Sequence, residues 1–277
     1  MNRTEIPGDI SKTVKAALEE DIGSGDLTSQ LLPADTHSSA IVTCREESVM
    51  CGIPWFNEVY RQLDPDFNIT WNVSDGDSLR KNKIICKLNG DTRTLVTGER
   101  TALNFIQLLS ATATVTHEYV QLINGTTTQL LDTRKTIPGL RTAQKYAVVC
   151  GGGRNHRMGL YDAILIKENH IGTAGSIAKA YKKAIEIHDN VEIEVESLDE
   201  LQQALDAGAN QILLDNFSID MMQEAVSITA GKATLEVSGG VTHDTIRNFA
   251  KTGVDYISVG ALTKNVRAID FSMRIEN

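Results

Sequence analysis

The stretch VEIEVESLDELQQALDAGANQILLD, residues 191–215, contains the pattern that decides the fold. Two short apolar runs, 191–196 and 211–215, stand on either side of a segment whose apolar residues have helical spacing. Ser197 is a good helix N-cap, and Gly208 stands near the predicted helix end. Strands joined in this way by a helix are typical of a parallel sheet that is covered on both faces.

The same unit recurs from about residue 129 to residue 260. The predicted strands are six apolar runs that end in a polar residue or a glycine: QLLD (129–132), AILIK (163–167), VEIEVE (191–196), QILLD (211–215), TLEVS (234–238) and DYISVG (255–260). Segments 176–188 and 242–253 are further predicted helices. No glycine fingerprint of a dinucleotide-binding sheet follows a first strand. We therefore predict an α/β fold with a parallel, TIM-like α/β barrel, incomplete because six strands are fewer than eight.

The first hundred or so residues follow a different pattern. The predicted elements are helices at 11–21 and 98–120 and short strands at 39–45, 67–73 and 83–89. Helices and strands that do not alternate regularly predict a separate α+β domain.

Composition and charge exclude several classes of protein. The formal net charge is −9, from 27 Lys and Arg against 36 Asp and Glu, which argues against a general nucleic-acid binder. The four cysteines form no C-x-x-C pair and suggest no zinc site. The N-terminus MNRTEIPGDI has no apolar signal region, and no apolar run approaches the roughly 18 residues of a membrane span. We expect a cytoplasmic protein without nucleic-acid or membrane partners.

The residues that end the six runs are the first candidates for chemistry. In a barrel they converge at the carboxyl ends of the strands, where such enzymes place their active sites. They are Asp132, Lys167, Glu196, Asp215, Ser238 and Gly260. Glu194 alternates with Glu196, and we expect it, and Glu192 with it, to face the barrel interior.

Basic residues gather in two of the loops. Arg134 and Lys135 lead into a Pro-Gly turn, and three glycines at 151–153 precede Arg154, His156 and Arg157. Arginine forks and lysine charges bind carboxylates and phosphates, and glycines let a backbone approach a ligand closely. The small-residue loops VSGG (237–240) and SVGAL (258–262) follow the last two strands, the usual position of a phosphate site in barrel enzymes.

Taken together, these motifs resemble quinolinate phosphoribosyltransferases, pentosyltransferases also called carboxylating nicotinate-nucleotide pyrophosphorylases. The matching motifs are EEDIGSGDLTS (19–29), GERTALNFIQLLS (98–110), DTRKTIPGLR (132–141), GGGRNHRMGLYDAILIKENHI (151–171), EVES (194–197), LLDN (213–216), SGG (238–240) and SVGALT (258–263). The resemblance implies an N-terminal α/β sandwich domain with an incomplete barrel. We place the sandwich at residues 1–115, joined by the C-terminal segment 266–277, and the barrel at 116–265.

The resemblance also implies a reaction. Phosphoribosyl pyrophosphate would transfer its phosphoribosyl group to the ring nitrogen of quinolinate with decarboxylation, which gives nicotinate mononucleotide, pyrophosphate and CO₂ on the de novo route to NAD. It further implies Mg²⁺, carried by the substrate with Glu196 and Asp215 as candidate ligands, and a homodimer with a shared active site.

Residue roles follow from the same resemblance. Arg134, His156 and Arg157 would hold the carboxylates of quinolinate, with Arg100 supplied by the neighbouring subunit. The predicted catalytic residues are Lys135 and Lys167, near pyrophosphate, and Glu196 and Asp215, near the ribose hydroxyls. The remaining predicted substrate-binding residues are Thr133 and the phosphate loops of Ser238, Gly239, Gly240, Val259, Gly260 and Ala261.

Three other hypotheses stay open at the level of sequence. One is a related phosphoribosyltransferase that acts on another ring acid, such as nicotinate. Another is a non-catalytic phosphometabolite-binding protein on the same scaffold. The third is a barrel lyase or isomerase, which would leave the arginines without a role.

Overall fold

The computed structural model describes residues 5–276, so the first four residues of the predicted sandwich and the last residue of the segment 266–277 lie outside the described range. The strands are β1 (His37–Cys44), β2 (Ser48–Val49), β3 (Asn68–Trp71), β4 (Ser78–Leu79), β5 (Lys83–Asp91), β6 (Gln129–Leu131), β7 (Ile164–Ile166), β8 (Val191–Val195), β9 (Gln211–Asp215), β10 (Thr234–Ser238), β11 (Tyr256–Ser258) and β12 (Phe271–Glu276). The α-helices are α1 (Ile10–Ile22), α2 (Ile53–Leu63), α3 (Thr92–Leu122), α4 (Arg141–Cys150), α5 (Glu168–Ala174), α6 (Ile177–Ile185), α7 (Leu198–Asp206), α8 (Ile219–Thr229), α9 (Ile246–Ala250) and α10 (Ala261–Lys264).

The six predicted runs form one six-stranded parallel sheet. Its order is β6-β11-β10-β9-β8-β7, and every neighbouring pair within it is parallel. Beyond β6, the described residues add one parallel bridge, between Leu131 and Arg154. The α/β class and the incomplete parallel barrel are therefore confirmed.

This sheet belongs to a compact unit of residues Glu118–Lys135 and Gly153–Ala261. Three of its helices, α6, α7 and α8, begin where a serine hydroxyl satisfies a free backbone N–H group. Ser197 caps α7 by accepting from the N–H of Glu200, and Ser176 caps α6 in the same way. The helix predicted at 242–253 is shorter, because the Thr245 hydroxyl accepts the N–H of Thr242 and holds the first residues in a turn.

A second compact unit contains the described residues up to His117, then Thr136–Gly152, and the chain from Leu262 onward. Its main sheet is antiparallel, in the order β12-β1-β5-β3, so the C-terminal strand pairs with the first strand of the chain. Buried Trp55, Phe56 and Tyr60 form the centre of its core.

The segment Thr136–Gly152 differs from the predicted boundary at 115 and 116, which had assigned it to the barrel. The physical reason is the apolar face of α4. Ala143, Tyr146 and Ala147 are buried in the same core as Trp55. The rings of Tyr146 and Trp55 meet edge to face at 5.3 Å, and the Tyr146 hydroxyl donates to Asp75 at 2.8 Å. The few residues Leu262–Val266 before the predicted segment 266–277 also lie in this unit.

Gly151 has a packing role that the sequence interpretation missed. We expected the three glycines to let the backbone approach a ligand. Instead, a Cβ on Gly151 would collide with the backbone oxygen of Ala113 and lie 2.7 Å from the Cβ of Thr116. The missing side chain of this first glycine lets the end of α4 pack against α3, and the expected approach of the loop to a ligand stays a prediction.

No helix within residues 5–276 has the length and hydrophobicity needed to cross a membrane.

We expect Gly151→Ala to destabilise the protein by about 1–3 kcal/mol, because two packed helices would have to separate. Gly172→Ala is the matched control, since Gly172 lies in α5 and a Cβ there would meet nothing within 4 Å. Urea unfolding measures both variants. Equal stability of Gly151→Ala and the wild type would contradict the packing role.

Candidate active site

The residues that end the six strands lie along one edge of the parallel sheet. Asp132, Lys167 and Glu196 directly follow β6, β7 and β8, while Asp215 and Ser238 are the last residues of β9 and β10. Gly260 follows β11 by two residues. Because all six strands run in one direction, their carboxyl ends share an edge. The parallel topology therefore brings these six positions to one edge of the sheet, as the sequence predicted.

Nearly all of the predicted site residues lie in one of the two units. All of them except Arg100 lie in the unit that contains the parallel sheet. Arg100 is exposed on α3 in the other unit, where it lines a cavity of 580 Å³ together with residues of the segment 25–32. Leu27 and Leu31 in this segment are 81% and 84% exposed. Large apolar side chains at such exposure are a feature of contact surfaces.

Arg134 and Arg157 form a concentrated positive charge. Partial burial of the Arg157 guanidinium and the nearby charge of Arg134 both lower the pKa of Arg157. One guanidinium nitrogen of Arg157 donates to the backbone oxygen of Ala163 at 3.0 Å, which orients the side chain. Two partly desolvated like charges favour an anion between or beside them.

Lys167 is held by two contacts at the end of β7. Its ammonium group forms an ion pair with the buried carboxylate of Glu194. Its backbone N–H donates to Nδ1 of His170 at 2.9 Å, in a reciprocal cap of α5. Glu194 thus faces the interior as expected, and His170 orients Lys167.

The glycine loops pack closely against neighbouring loops at the same edge. A Cβ on Gly260 would lie 2.9 Å from Cδ of Lys135 and 3.4 Å from the Thr133 hydroxyl. Gly239 has φ +94°, and a Cβ there would collide with the amide oxygen of Asn216. The N–H of Asn216 donates to the backbone oxygen of Ser238 at 3.0 Å. Gly239 therefore requires glycine, whereas the exposed Lys135 side chain beside Gly260 could move aside. The use of both loops by a phosphate stays a prediction.

A buried polar cluster lies beneath the basic loop. Asp132 is fully buried and accepts the backbone N–H of His156 at 2.9 Å. The His156 ring reaches Glu192 at 2.8 Å and Glu236 at 3.5 Å from Nε2. Burial and the negative charge of Glu192 raise the pKa of Glu236 to about 8.

Sequence reasoning anticipated the position of Glu192 but missed Glu236. The available signal was alternation along TLEVS, in which Glu236 stands two residues before Ser238 and so shares its face. The cluster lines a cavity of 470 Å³ that also includes Arg154, Arg157 and Tyr256.

Asp132→Ala should destabilise the protein by about 1–3 kcal/mol, because a backbone N–H would lose its acceptor in a buried position. Asp132→Asn is the control, since an amide oxygen can still accept that N–H. Chemical denaturation of both variants checks the difference. If the alanine variant were as stable as the asparagine variant, Asp132 would not be what holds the loop.

Comparison with known proteins gives two family matches that together cover most of the chain. The C-terminal domain of quinolinate phosphoribosyl transferase matches residues 112–274. The N-terminal domain of the same family matches residues 26–110.

Individual proteins show the same similarity. A probable nicotinate-nucleotide pyrophosphorylase (carboxylating) of Bacillus subtilis is 42% identical over 259 residues, which cover 92% of this chain and 90% of that protein. A mitochondrial quinolinate phosphoribosyltransferase (decarboxylating) of Nicotiana tabacum is 37% identical, over 97% of this chain and 82% of that protein. The solved structure of the nicotinate-nucleotide pyrophosphorylase from Francisella tularensis has a TM-score of 0.95 and 53% identity, over 99% of this chain and 98% of that one.

Proposed function

The chain belongs to the quinolinate phosphoribosyltransferase family, and from that premise we propose how its own residues carry out the reaction. The activity is the decarboxylating transfer of a phosphoribosyl group to quinolinate, in the biosynthesis of NAD. Its substrates are quinolinate and phosphoribosyl pyrophosphate. The family membership decides against the three other hypotheses: another ring acid, binding without catalysis, and a lyase or isomerase.

The observation that carries the residue assignment is the pair of Arg134 and Arg157. Quinolinate has two carboxylates on adjacent ring carbons, and two neighbouring guanidiniums match that dianion in charge. Each guanidinium also offers the planar fork of N–H groups that binds a carboxylate. The lowered pKa of Arg157 reflects the cost of burying it beside Arg134. A bound carboxylate would remove that cost.

The second group of residues is proposed to hold the sugar donor. Lys135 and Lys167 supply charge for the pyrophosphate, and Glu194 keeps the Lys167 ammonium in position. Glu196 and Asp215 accept hydrogen bonds from the ribose hydroxyls. The loops that contain Thr133, Ser238, Gly239, Gly240, Val259, Gly260 and Ala261 offer backbone N–H groups to the 5′-phosphate.

In this reaction the protein mainly positions the two substrates and stabilises the charges that develop on them. As pyrophosphate leaves, C1 of the ribose becomes positively charged, and carboxylates nearby stabilise it. The ring nitrogen of quinolinate then bonds to C1 and becomes cationic. Loss of CO₂ leaves an electron pair on the adjacent carbon, which that cationic nitrogen stabilises. Correct placement of the two substrates therefore contributes much of the acceleration.

We propose Mg²⁺ as the metal of this site. Glu196 is exposed and Asp215 half-buried, and they end neighbouring strands of the sheet. Carboxylate oxygens are ligands that Mg²⁺ prefers, and Mg²⁺ keeps few protein ligands when phosphates bind it. The residues therefore fit the ion. When bound, it would supply charge that stabilises the leaving pyrophosphate.

An assay with quinolinate, phosphoribosyl pyrophosphate and Mg²⁺ tests the function directly. We expect nicotinate mononucleotide, pyrophosphate and CO₂ in equal amounts, and a loss of product when a chelator removes the metal. Nicotinate in place of quinolinate is the control and should give neither nicotinate mononucleotide nor pyrophosphate. Folded protein that forms none of the products would contradict the assignment.

Arg134→Ala should impair turnover of quinolinate by about a hundredfold or more in kcat/KM, because a charge-assisted carboxylate contact is lost. Arg80→Ala removes an exposed arginine from a turn in the other unit and is the matched control. Steady-state kinetics measures both. Wild-type kinetics in Arg134→Ala would exclude the proposed carboxylate contact.

The active site is proposed to be shared within a homodimer. Arg100 is the one predicted ligand outside the unit of the parallel sheet, and it is exposed. Exposed Leu27 and Leu31 line the same cavity and would be covered by a second copy. In such a dimer each barrel receives Arg100 from its partner.

Mixing two inactive variants tests this sharing. Arg100→Ala keeps an intact barrel, and Lys167→Ala keeps an intact Arg100. Random re-pairing should restore about a quarter of the wild-type activity, because half the dimers are mixed and each has one intact site. The control mixes Arg134→Ala with Lys167→Ala, which places both lesions in the barrel. No recovery in the first mixture would show that Arg100 serves its own chain.

We also propose that the protein works in the cytoplasm. All four cysteines, Cys44, Cys51, Cys86 and Cys150, are free thiols, as is usual in a reducing compartment.

A further inference from the structure

We propose that Glu192 and Glu236, inside the barrel, share one proton beneath His156 and act as positioning residues for Arg157. The inference rests on the proposed function in one respect, that Arg157 holds a carboxylate of quinolinate. It assigns to His156 a different task from the direct carboxylate contact that the family resemblance implied.

The first step is the geometry of the His156 ring. Nδ1 accepts the backbone N–H of Arg157 at 2.8 Å, so Nδ1 carries no proton. The proton of the neutral ring is therefore on Nε2, which lies 2.8 Å from a carboxylate oxygen of Glu192. Both ring nitrogens already have partners within this unit. One of those partners is the backbone of Arg157, whose position the ring fixes.

The second step is the state of the two acids. Glu236 is 4% exposed, its Oε2 lies 3.5 Å from Nε2 of His156, and its Oε1 has no hydrogen-bond partner. Two buried carboxylates against one ring do not both ionise at low cost. Burial and the charge of Glu192 raise the pKa of Glu236 to about 8, so Glu236 retains a proton at neutral pH.

The third step is charge balance. With Glu236 neutral, Glu192 is the charged one of the two glutamates beneath the ring, and its charge acts on the guanidinium of Arg157. The other charges that act on Arg157 are those of Arg134, which repels it, and Asp162, which attracts it. Arg154 lines the same cavity as Arg157 and Glu236. Tyr256 of β11 lines the same cavity. The Glu192 carboxylate thus attracts the Arg157 guanidinium, while the His156 ring fixes the backbone of Arg157.

Ionisation of Glu236 would disturb this arrangement. A second negative charge would compete for the Nε2 proton and for Arg157, so that Arg157 is less available to the substrate. The pKa of Glu236 lies above that of an exposed carboxyl group, so its protonated form is favoured by folding. That form is lost as pH rises through about 8. Affinity for quinolinate should fall in the same range.

A kinetic pH profile is the first test. The KM of the wild type for quinolinate should rise above pH about 8, and Glu236→Gln should abolish this rise, because an amide cannot ionise. Glu224→Gln, in the exposed part of α8, is the matched control and should keep the wild-type profile. The same alkaline rise in Glu236→Gln would overturn the proposal.

The second test separates positioning from contact with the reacting atoms. Glu192→Gln should raise the KM for quinolinate about tenfold and change kcat much less, because Arg157 loses its alignment and not its chemistry. A fall in kcat with unchanged KM would overturn the proposal.

The third test needs no activity, so it distinguishes failure of this inference from failure of the proposed function. NMR of ¹⁵N-histidine protein without substrate reads the tautomer, and His156→Asn identifies the signal. We expect a neutral ring with its proton on Nε2 at pH 7, and a changed signal in Glu192→Gln. A cationic ring, or a proton on Nδ1, would overturn the proposal. So would a divalent ion that co-purifies with the wild type and is absent from Glu236→Gln, since three such ligands could also hold a metal.

Discussion

The parallel hydrogen-bond ladder of the six-stranded sheet is the constraint on which the active site depends. It sends every strand toward one edge, so residues far apart in sequence, such as Lys167 and Asp215, emerge together without any direct bond between them. Such a ladder requires a return segment between successive strands, and α6 and α7 are two of these. The serine cap of α7 begins that helix directly after β8, which keeps the loop between them short.

The interior of this sheet is unusual in being charged. Barrel interiors are normally filled with branched apolar side chains, yet here Glu192, Glu194 and Glu236 are buried. Each buried acid has its own compensation: Lys167 for Glu194, the His156 ring for Glu192, and a raised pKa for Glu236. Buried ionic groups of this kind rarely increase stability. We therefore regard them as the cost of orienting cations, Lys167 at the carboxyl edge and Arg157 in the cavity that Glu192 and Glu236 line.

Much of this arrangement was predictable from local pattern. The apolar runs that predict strands and the serine that predicts the start of a helix are patterns of a few consecutive residues. The structure has the strands at those runs and begins α7 at Ser197. Strand order and the end of a strand also fix which residues share the edge. No local sequence pattern predicts that α4 packs with Trp55, because that contact joins segments almost a hundred residues apart. Local sequence also does not predict that a side chain at Gly151 would collide with a backbone oxygen of another helix. Glu236 was missed because a single glutamate in a strand is ordinarily a solvent-facing residue.

The pairing of β12 with β1 has a consequence for the order of folding during synthesis. The neighbours of β1 are residues 83–91 and residues 271–276, so one side of it is available for pairing almost from the start. The other side has no partner until nearly the whole described chain has left the ribosome. During that interval the unit of the parallel sheet can fold as a complete body, since all its strands lie between residues 129 and 258. Of the two units, the one whose strands are translated earlier is thus the last to be finished, and one edge of β1 stays open in the meantime.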